Sequence, residues 1–171
     1  CSFLTLIKKV NYAISSIIYY SNHNNNTEKL AEVFAKTIPC ELIKINKENM
    51  LPIDLGDYDL IGFGSGVYQE NLSEKMFKLV DGLDLKGKNV FVFSTSGVGM
   101  KFYNKALINK LETKGAIIRG SFACKGAYRA EDFTDIKVFH LMSKLADGHP
   151  NDKDLLMAGR FIIDLVNSFE K

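Results

Sequence analysis

Five short runs of β-branched and aromatic residues set the strongest limit on how this chain can fold. ISSIIYY (14–20), CELIKI (40–45), YDLIGFGSG (58–66), KNVFVF (88–93) and AIIRGSFAC (116–124) read as strands, because such side chains suit a pleated, half-buried surface. Apolar residues at helical spacing fill most of the intervals. Leu30, Val33, Phe34 and Ile38 make one stripe, stopped by Pro39. Met76, Phe77, Val80 and Leu83 make another behind Ser73 as N-cap. A helix over 101–114 closes at Gly115, and one over 151–169 opens on a capping-box-like Asn151–Asp154 pair. Residues 46–57, with Pro52 and Gly56, read as a turn-rich connection; 125–150 is less regular, with a helix near 136–146.

Strand followed by helix, repeated along the chain, implies a parallel sheet with helices on both faces. The strands are near-continuous apolar runs, as burial on both sides requires. The expectation is an α/β chain of one domain, since 171 residues fit one core that needs no disulfide or metal. Residues 1–13 are set apart from the domain at 14–171 as an N-terminal extension; CSFLTLIKKVNY is too short for a membrane span and resembles no full signal peptide.

Charge and cysteine content narrow the function classes. A net charge of +2, with basic and acidic residues interleaved, leaves no footprint for nucleic acid. Cys1, Cys40 and Cys124 show no CxxC spacing, which argues against a disulfide framework or a zinc site. Cys40 and Cys124 lie inside apolar runs and are expected as buried, inert thiols, which fits a reducing cytoplasm. His23, His140 and His149 lack metal-ligand spacing, so no metal is expected.

Three loops leave strand C-termini with unusual chemistry, at the edge where open α/β sheets bind ligands. The first, SNHNNNT (21–27), offers Ser21 and Thr27 hydroxyls, the amides of Asn22, Asn24, Asn25 and Asn26, and the His23 imidazole. It precedes a helix, whose free N–H groups and dipole favour an anion. With no Lys or Arg and no GxxxxGK[ST] pattern, it suits a terminal monophosphate held by hydrogen bonds better than a triphosphate. Asn25 is placed where positive φ is wanted, a conformation asparagine tolerates. The second loop, GSGVYQ (64–69), has glycines that permit close approach to a flat ligand and Tyr68 to stack on it. The third, STSGVG (94–99), offers hydroxyl and N–H donors for the polar edge of a heterocycle. Taken singly, the first loop is equally explained as turn and cap chemistry, Tyr68 of the second as a half-buried packing residue, and the third as an ordinary strand-to-helix turn.

In order and spacing these segments resemble the flavodoxin family. IIYYSNHNNNTEKLAEVFA resembles its phosphate loop in the Ser-x-His-x-Gly-Asn-Thr version, with Asn25 at the glycine. DYDLIGFGSGVY and VFVFSTSGVG resemble the loops on either side of the flavin ring, and ACKG and GHPNDKD resemble segments late in such chains. The resemblance implies a flavodoxin-like three-layer sandwich, a five-stranded parallel sheet in order 2-1-3-4-5, and FMN as cofactor. It places Ser21, His23, Asn24, Asn25, Asn26 and Thr27 on the phosphate. Ser65, Gly66, Val67 and Tyr68 flank the isoalloxazine, and Ser94, Thr95, Ser96, Gly97, Val98 and Gly99 face its pyrimidine side.

The implied function is electron transport through a non-covalently bound flavin, to a redox partner protein or a small-molecule electron acceptor. Electron-carrier flavodoxins are usually acidic, using negative surface to steer onto basic partners. This near-neutral chain therefore keeps an FMN-dependent NAD(P)H:quinone-type oxidoreductase as an alternative. A binding module with weakened or lost FMN is another, carried by Asn25 and by a loop one residue longer than the family's more usual Ser/Thr-x-Thr-Gly-Asn-Thr pattern. A response-regulator receiver is disfavoured, because its acidic positions are held by Tyr20-Ser21 and Ser65-Gly66.

Overall fold

The structure, a computed structural model, describes residues 15–21, 25–46, 53–127 and 147–168. Strand β1 (Ser15–Tyr20) leads to helix α1 (Asn26–Thr37) and strand β2 (Cys40–Lys44). Strand β3 (Leu60–Tyr68) turns back into the two-residue β4 (Asn71–Leu72), followed by helix α2 (Glu74–Asp81). Strand β5 (Asn89–Ser96), a 3₁₀ turn (Lys101–Asn104), helix α3 (Lys105–Thr113), strand β6 (Ile117–Lys125) and helix α4 (Asp152–Asn167) complete the order.

Five strands pair in parallel in the order β2-β1-β3-β5-β6, and β4 hangs antiparallel on β3. Alternation along each strand splits the apolar residues between two cores. On one face Ile17, Phe91, Phe93 and Phe122 meet Phe34 of α1 and Ile162 of α4. On the other, Ile18, Ile61, Phe63 and Val92 meet Met76 and Val80 of α2 and Leu107 and Leu111 of α3. Helix, sheet, helix is the expected three-layer sandwich, and the parallel strands keep the expected order.

Phe34 is the hub of the first core. Its ring stands edge-on to Phe91, Phe93 and Phe122, with centroids 5.7, 5.1 and 6.4 Å away, the geometry that aromatic quadrupoles favour. Two glycines make room for this cluster. A Cβ on Gly62 would sit 2.4 Å from the Phe91 ring, and one on Gly64 would sit 2.1 Å from that of Phe93.

The structure corrects several expectations. The sheet has six strands rather than five, because β3 and β4 form a hairpin through Gln69 and Glu70, both at positive φ (49° and 67°). That pair carries none of the Asn-Gly or Asp-Gly chemistry that marks such a turn. Consequently 64–69 is no loop: β3 runs on to Tyr68. Likewise β5 extends through Ser96, so only the end of 94–99 is loop. The helix expected over 101–114 opens with a 3₁₀ turn. Cys40 is half-buried rather than buried, although burial still lifts its thiol to about 11; Cys124 is buried and lifted to about 12, by burial first and Asp154 second.

The caps read from the sequence form. Ser73 accepts the N–H of Lys75 at 3.3 Å, and Asn151 and Asp154 make both bonds of a capping box. His149 joins that cap, its Nδ1 lying 2.5 Å from Asp154 Oδ2. The extension at 1–13 and the helix near 136–146 lie outside the described residues. Among the described residues no helix is long and apolar enough to cross a membrane.

Candidate functional site

The site is built where β1 hands over to α1. Asn25, immediately before the helix, adopts the left-handed conformation read for it (φ 52°, ψ 32°). Asparagine bears this more easily than most residues, and its side chain makes no capping bond. The hydroxyl of Ser21 reaches forward instead and accepts the Glu28 N–H at 3.4 Å. The first amides of a helix have no intrahelical acceptor and point out along its axis, so this end is an anion-facing surface.

Asn26 and Thr27, the first two helical residues, are buried and tied to the far side of the sheet. Asn26 Nδ2 donates to the Ala127 carbonyl at 2.6 Å, while its Oδ1 has no hydrogen-bond partner among the described residues. A Cβ on Gly126 would lie 2.8 Å from that Nδ2, so glycine is what admits the amide. Thr27 Oγ1 lies 2.9 Å from Thr95 Oγ1 at the end of β5. The third loop is fastened to the same corner. Ser96 Oγ accepts the Gly99 N–H (2.8 Å), and the Ser96 carbonyl accepts the Gly126 N–H (3.0 Å).

The Glu28 carboxylate, in the first turn of this helix, is neutralised. Glu28 accepts from Lys44 Nζ at 2.8 Å and from the Tyr19 hydroxyl at 2.9 Å. The Lys44 bond is the main reason its carboxyl is held below the usual range; burial and then Glu28 push the Tyr19 phenol well up. An anion at the start of α1 would therefore face hydroxyls and amides with the Glu28 carboxylate already paired.

The sequence-named residues separate into four groups. Ser21, Asn25, Asn26 and Thr27 converge with Thr95, Ser96 and Gly99, with Gly97 and Val98 half-buried in the bend between. Ser65 and Ser94 lie one step below the edge, in register and fully buried. Ser65 is occupied, donating to the Gly66 carbonyl (2.7 Å) and accepting the Ser73 N–H (3.0 Å). Gly66, Val67 and Tyr68 are half-buried, and a Cβ on Gly66 would meet the Tyr68 hydroxyl at 2.9 Å. His23 and Asn24, with Asn22, lie outside the described residues. Sequence reasoning missed the Asn26–Ala127 link, whose signal is the glycine of ACKG standing 100 positions from its partner.

Residues 17–151 match the model of a flavodoxin domain. A relative in Methanocaldococcus jannaschii, an uncharacterized protein, is 36% identical over 154 residues, covering 89% of this chain and 97% of that one. Among solved structures, flavodoxin 2 of Bacillus cereus superposes with a TM-score of 0.64 at 18% identity, covering 90% of this chain and 99% of that one. A flavodoxin from the domain Archaea gives 0.61 at 17% identity, covering 92% and 100%. A flavoprotein from Lactobacillus acidophilus, solved in complex with FMN, gives 0.54 at 22% identity, covering 64% and 91%. With the family model matched over most of this chain, the chain belongs to the flavodoxin family.

Proposed function

We propose that the protein binds FMN non-covalently and acts as an electron-transfer flavoprotein. The observation that carries this reading is the corner where Asn25 turns the chain into α1, with Ser21 and Thr27 beside it and Thr27 bonded to Thr95. The donor set is neutral and suits a phosphate monoester. His23, Asn24, Asn25 and Asn26 would complete the phosphate's partners. Gly66, Val67 and Tyr68 would flank the isoalloxazine and Thr95 through Gly99 would line its pyrimidine side, with Ser65 and Ser94 fully buried one step below them. The flavin, when bound, supplies the oxidation–reduction chemistry. The chain's own residues hold the phosphate and position the ring against a glycine-bearing edge.

A second reading, an NAD(P)H:quinone-type oxidoreductase using the same cofactor, is favoured by one observation. The net charge of +2 gives no negative field to steer the protein onto a basic partner. The free thiols of Cys40 and Cys124 suit a reducing compartment such as the cytoplasm.

Titration with FMN tests the first reading. Purified protein should be yellow, or should quench FMN fluorescence with a one-to-one end point. Colourless protein that leaves FMN fluorescence untouched would overturn it and leave a binding module without flavin. Anaerobic assays with NADH or NADPH and a quinone then separate reductase from carrier.

A further inference from the structure

A cavity of about 580 Å³ lies on the α2/α3 side of the sheet, beneath the β3–β4 hairpin. Tyr20, Val67 and Phe77 pack with the core on that side, whereas α1 packs with the other. The cavity is thus separated by the sheet from the anion-facing end of α1. Its size falls within the range of small-molecule pockets.

Its walls specify a chemistry. Tyr20, Tyr68, Leu72 and Phe77 supply flat or apolar surface, and the two tyrosine rings stand edge-on with centroids 6.0 Å apart. Lys75 sits above the Tyr20 ring, its Nζ 4.5 Å from the centroid and 3.3 Å from the hydroxyl oxygen. The ammonium donates to that oxygen, so the phenol's own proton remains to be given, and the adjacent charge polarises it. The Gln69 and Asn71 side chains add neutral donors at the hairpin, and Glu74 adds a carboxylate that disfavours anions. The hairpin itself is strained, with Gln69 and Glu70 both at positive φ, and strain of this kind collects at ligand clamps.

We propose that this cavity is a second small-molecule site, taking a neutral planar aromatic carbonyl compound whose oxygen accepts the Tyr20 hydroxyl. The site goes beyond the flavin reading, and Tyr68, whose ring packs edge-on to Tyr20, is the one lining residue it shares with the isoalloxazine-flanking set. Ala106 of α3 forms part of the wall and is otherwise exposed, so it can be enlarged without disturbing a core.

Equilibrium dialysis with 2,3-dimethyl-1,4-naphthoquinone, chosen because its ring carbons are blocked against thiols, tests the assignment. Binding should weaken about tenfold or more in Ala106→Trp and by a similar factor in Tyr20→Phe, the loss of one hydrogen bond. FMN quenching should be the same in both variants as in the parent, and 2-naphthoate should bind more weakly than the quinone. No binding by the parent, binding unaltered in both variants, or displacement of the quinone by FMN would each overturn the proposal. Quinone binding in a protein that ignores FMN would support this site while defeating the flavin reading.

Discussion

Thr27 Oγ1 and Thr95 Oγ1 lie 2.9 Å apart in a buried setting, joining the first turn of α1 to the last residues of β5 across 68 positions of sequence. This bond fixes the anion-facing end of the helix against the strand whose loop forms the other wall of the site. Replacing either threonine with valine keeps the shape and strands the other hydroxyl without its partner, which costs about 1–3 kcal/mol. Replacing both removes the stranded group. Urea unfolding should therefore show each single variant clearly destabilised and the double variant less so than the sum, a coupling that a double-mutant cycle reads directly. Strict additivity would show that the two hydroxyls are independent.

The glycines of β3 give a second prediction. Gly62→Ala and Gly64→Ala each drive a methyl into a phenyl ring, at 2.4 Å from Phe91 and 2.1 Å from Phe93. Overpacking of this kind costs about 1–3 kcal/mol. In Gly64→Ala, the second change Phe93→Leu should recover part of the loss, because it withdraws the ring atoms that collide. Thermal unfolding of the three proteins checks the order.

These glycines also mark how far the sequence could be read. Period-two and period-3.6 patterns placed nearly every described strand and helix, because both patterns are local. Asn25 was legible for the same reason: its conformation is a property of one residue and the helix after it. What GFGSG does was not legible. Its glycines invited a flat ligand, yet Gly62 and Gly64 face phenyl rings 29 residues further along, a relation that only the sheet register creates. The extension of β3 into a hairpin was hidden because Gln69-Glu70 is poor turn chemistry, tolerated here by pairing of Val67 with Leu72 and Tyr68 with Asn71.

Acid should weaken the protein partly through Glu28. Its carboxyl is held below the usual range, chiefly by Lys44, so its contribution is present above the unfolded value and is lost as pH falls through the folded one. Lys44 is well exposed, which limits the pair to about 1 kcal/mol at most. Urea midpoints measured from pH 6 downwards should fall less steeply for Lys44→Ala than for the parent, and added salt should narrow the difference. Parallel acid limbs would remove the pair from the account.

Base should act through Cys124. Burial raises its thiol from an ordinary value near 9 to about 12, so the protonated form is favoured in the folded state. The stability this gives is complete below about pH 9 and is lost as pH climbs toward the folded value. At pH 8 a disulfide reagent should label Cys124 only as fast as the protein opens, whereas the half-buried Cys40 should react sooner. In a Cys1→Ser, Cys40→Ser background, labelling of Cys124 at the rate of a free thiol would contradict its burial.

The hairpin offers the opportunity to gain stability. Gln69 and Glu70 both occupy positive φ, where a residue with a Cβ is disfavoured by about 1–2 kcal/mol. Gln69→Asn with Glu70→Gly places in the turn the pair it ordinarily selects. Glycine also loosens the unfolded chain, which offsets part of the benefit, so a net gain of about 1 kcal/mol is expected from the denaturation midpoint. If the strain serves the cavity beneath, the same variant should release its aromatic ligand more readily while gaining stability. A variant that gained neither stability nor a change in ligand retention would show that the turn is unstrained, since relief of a left-handed conformation cannot be silent in both measurements.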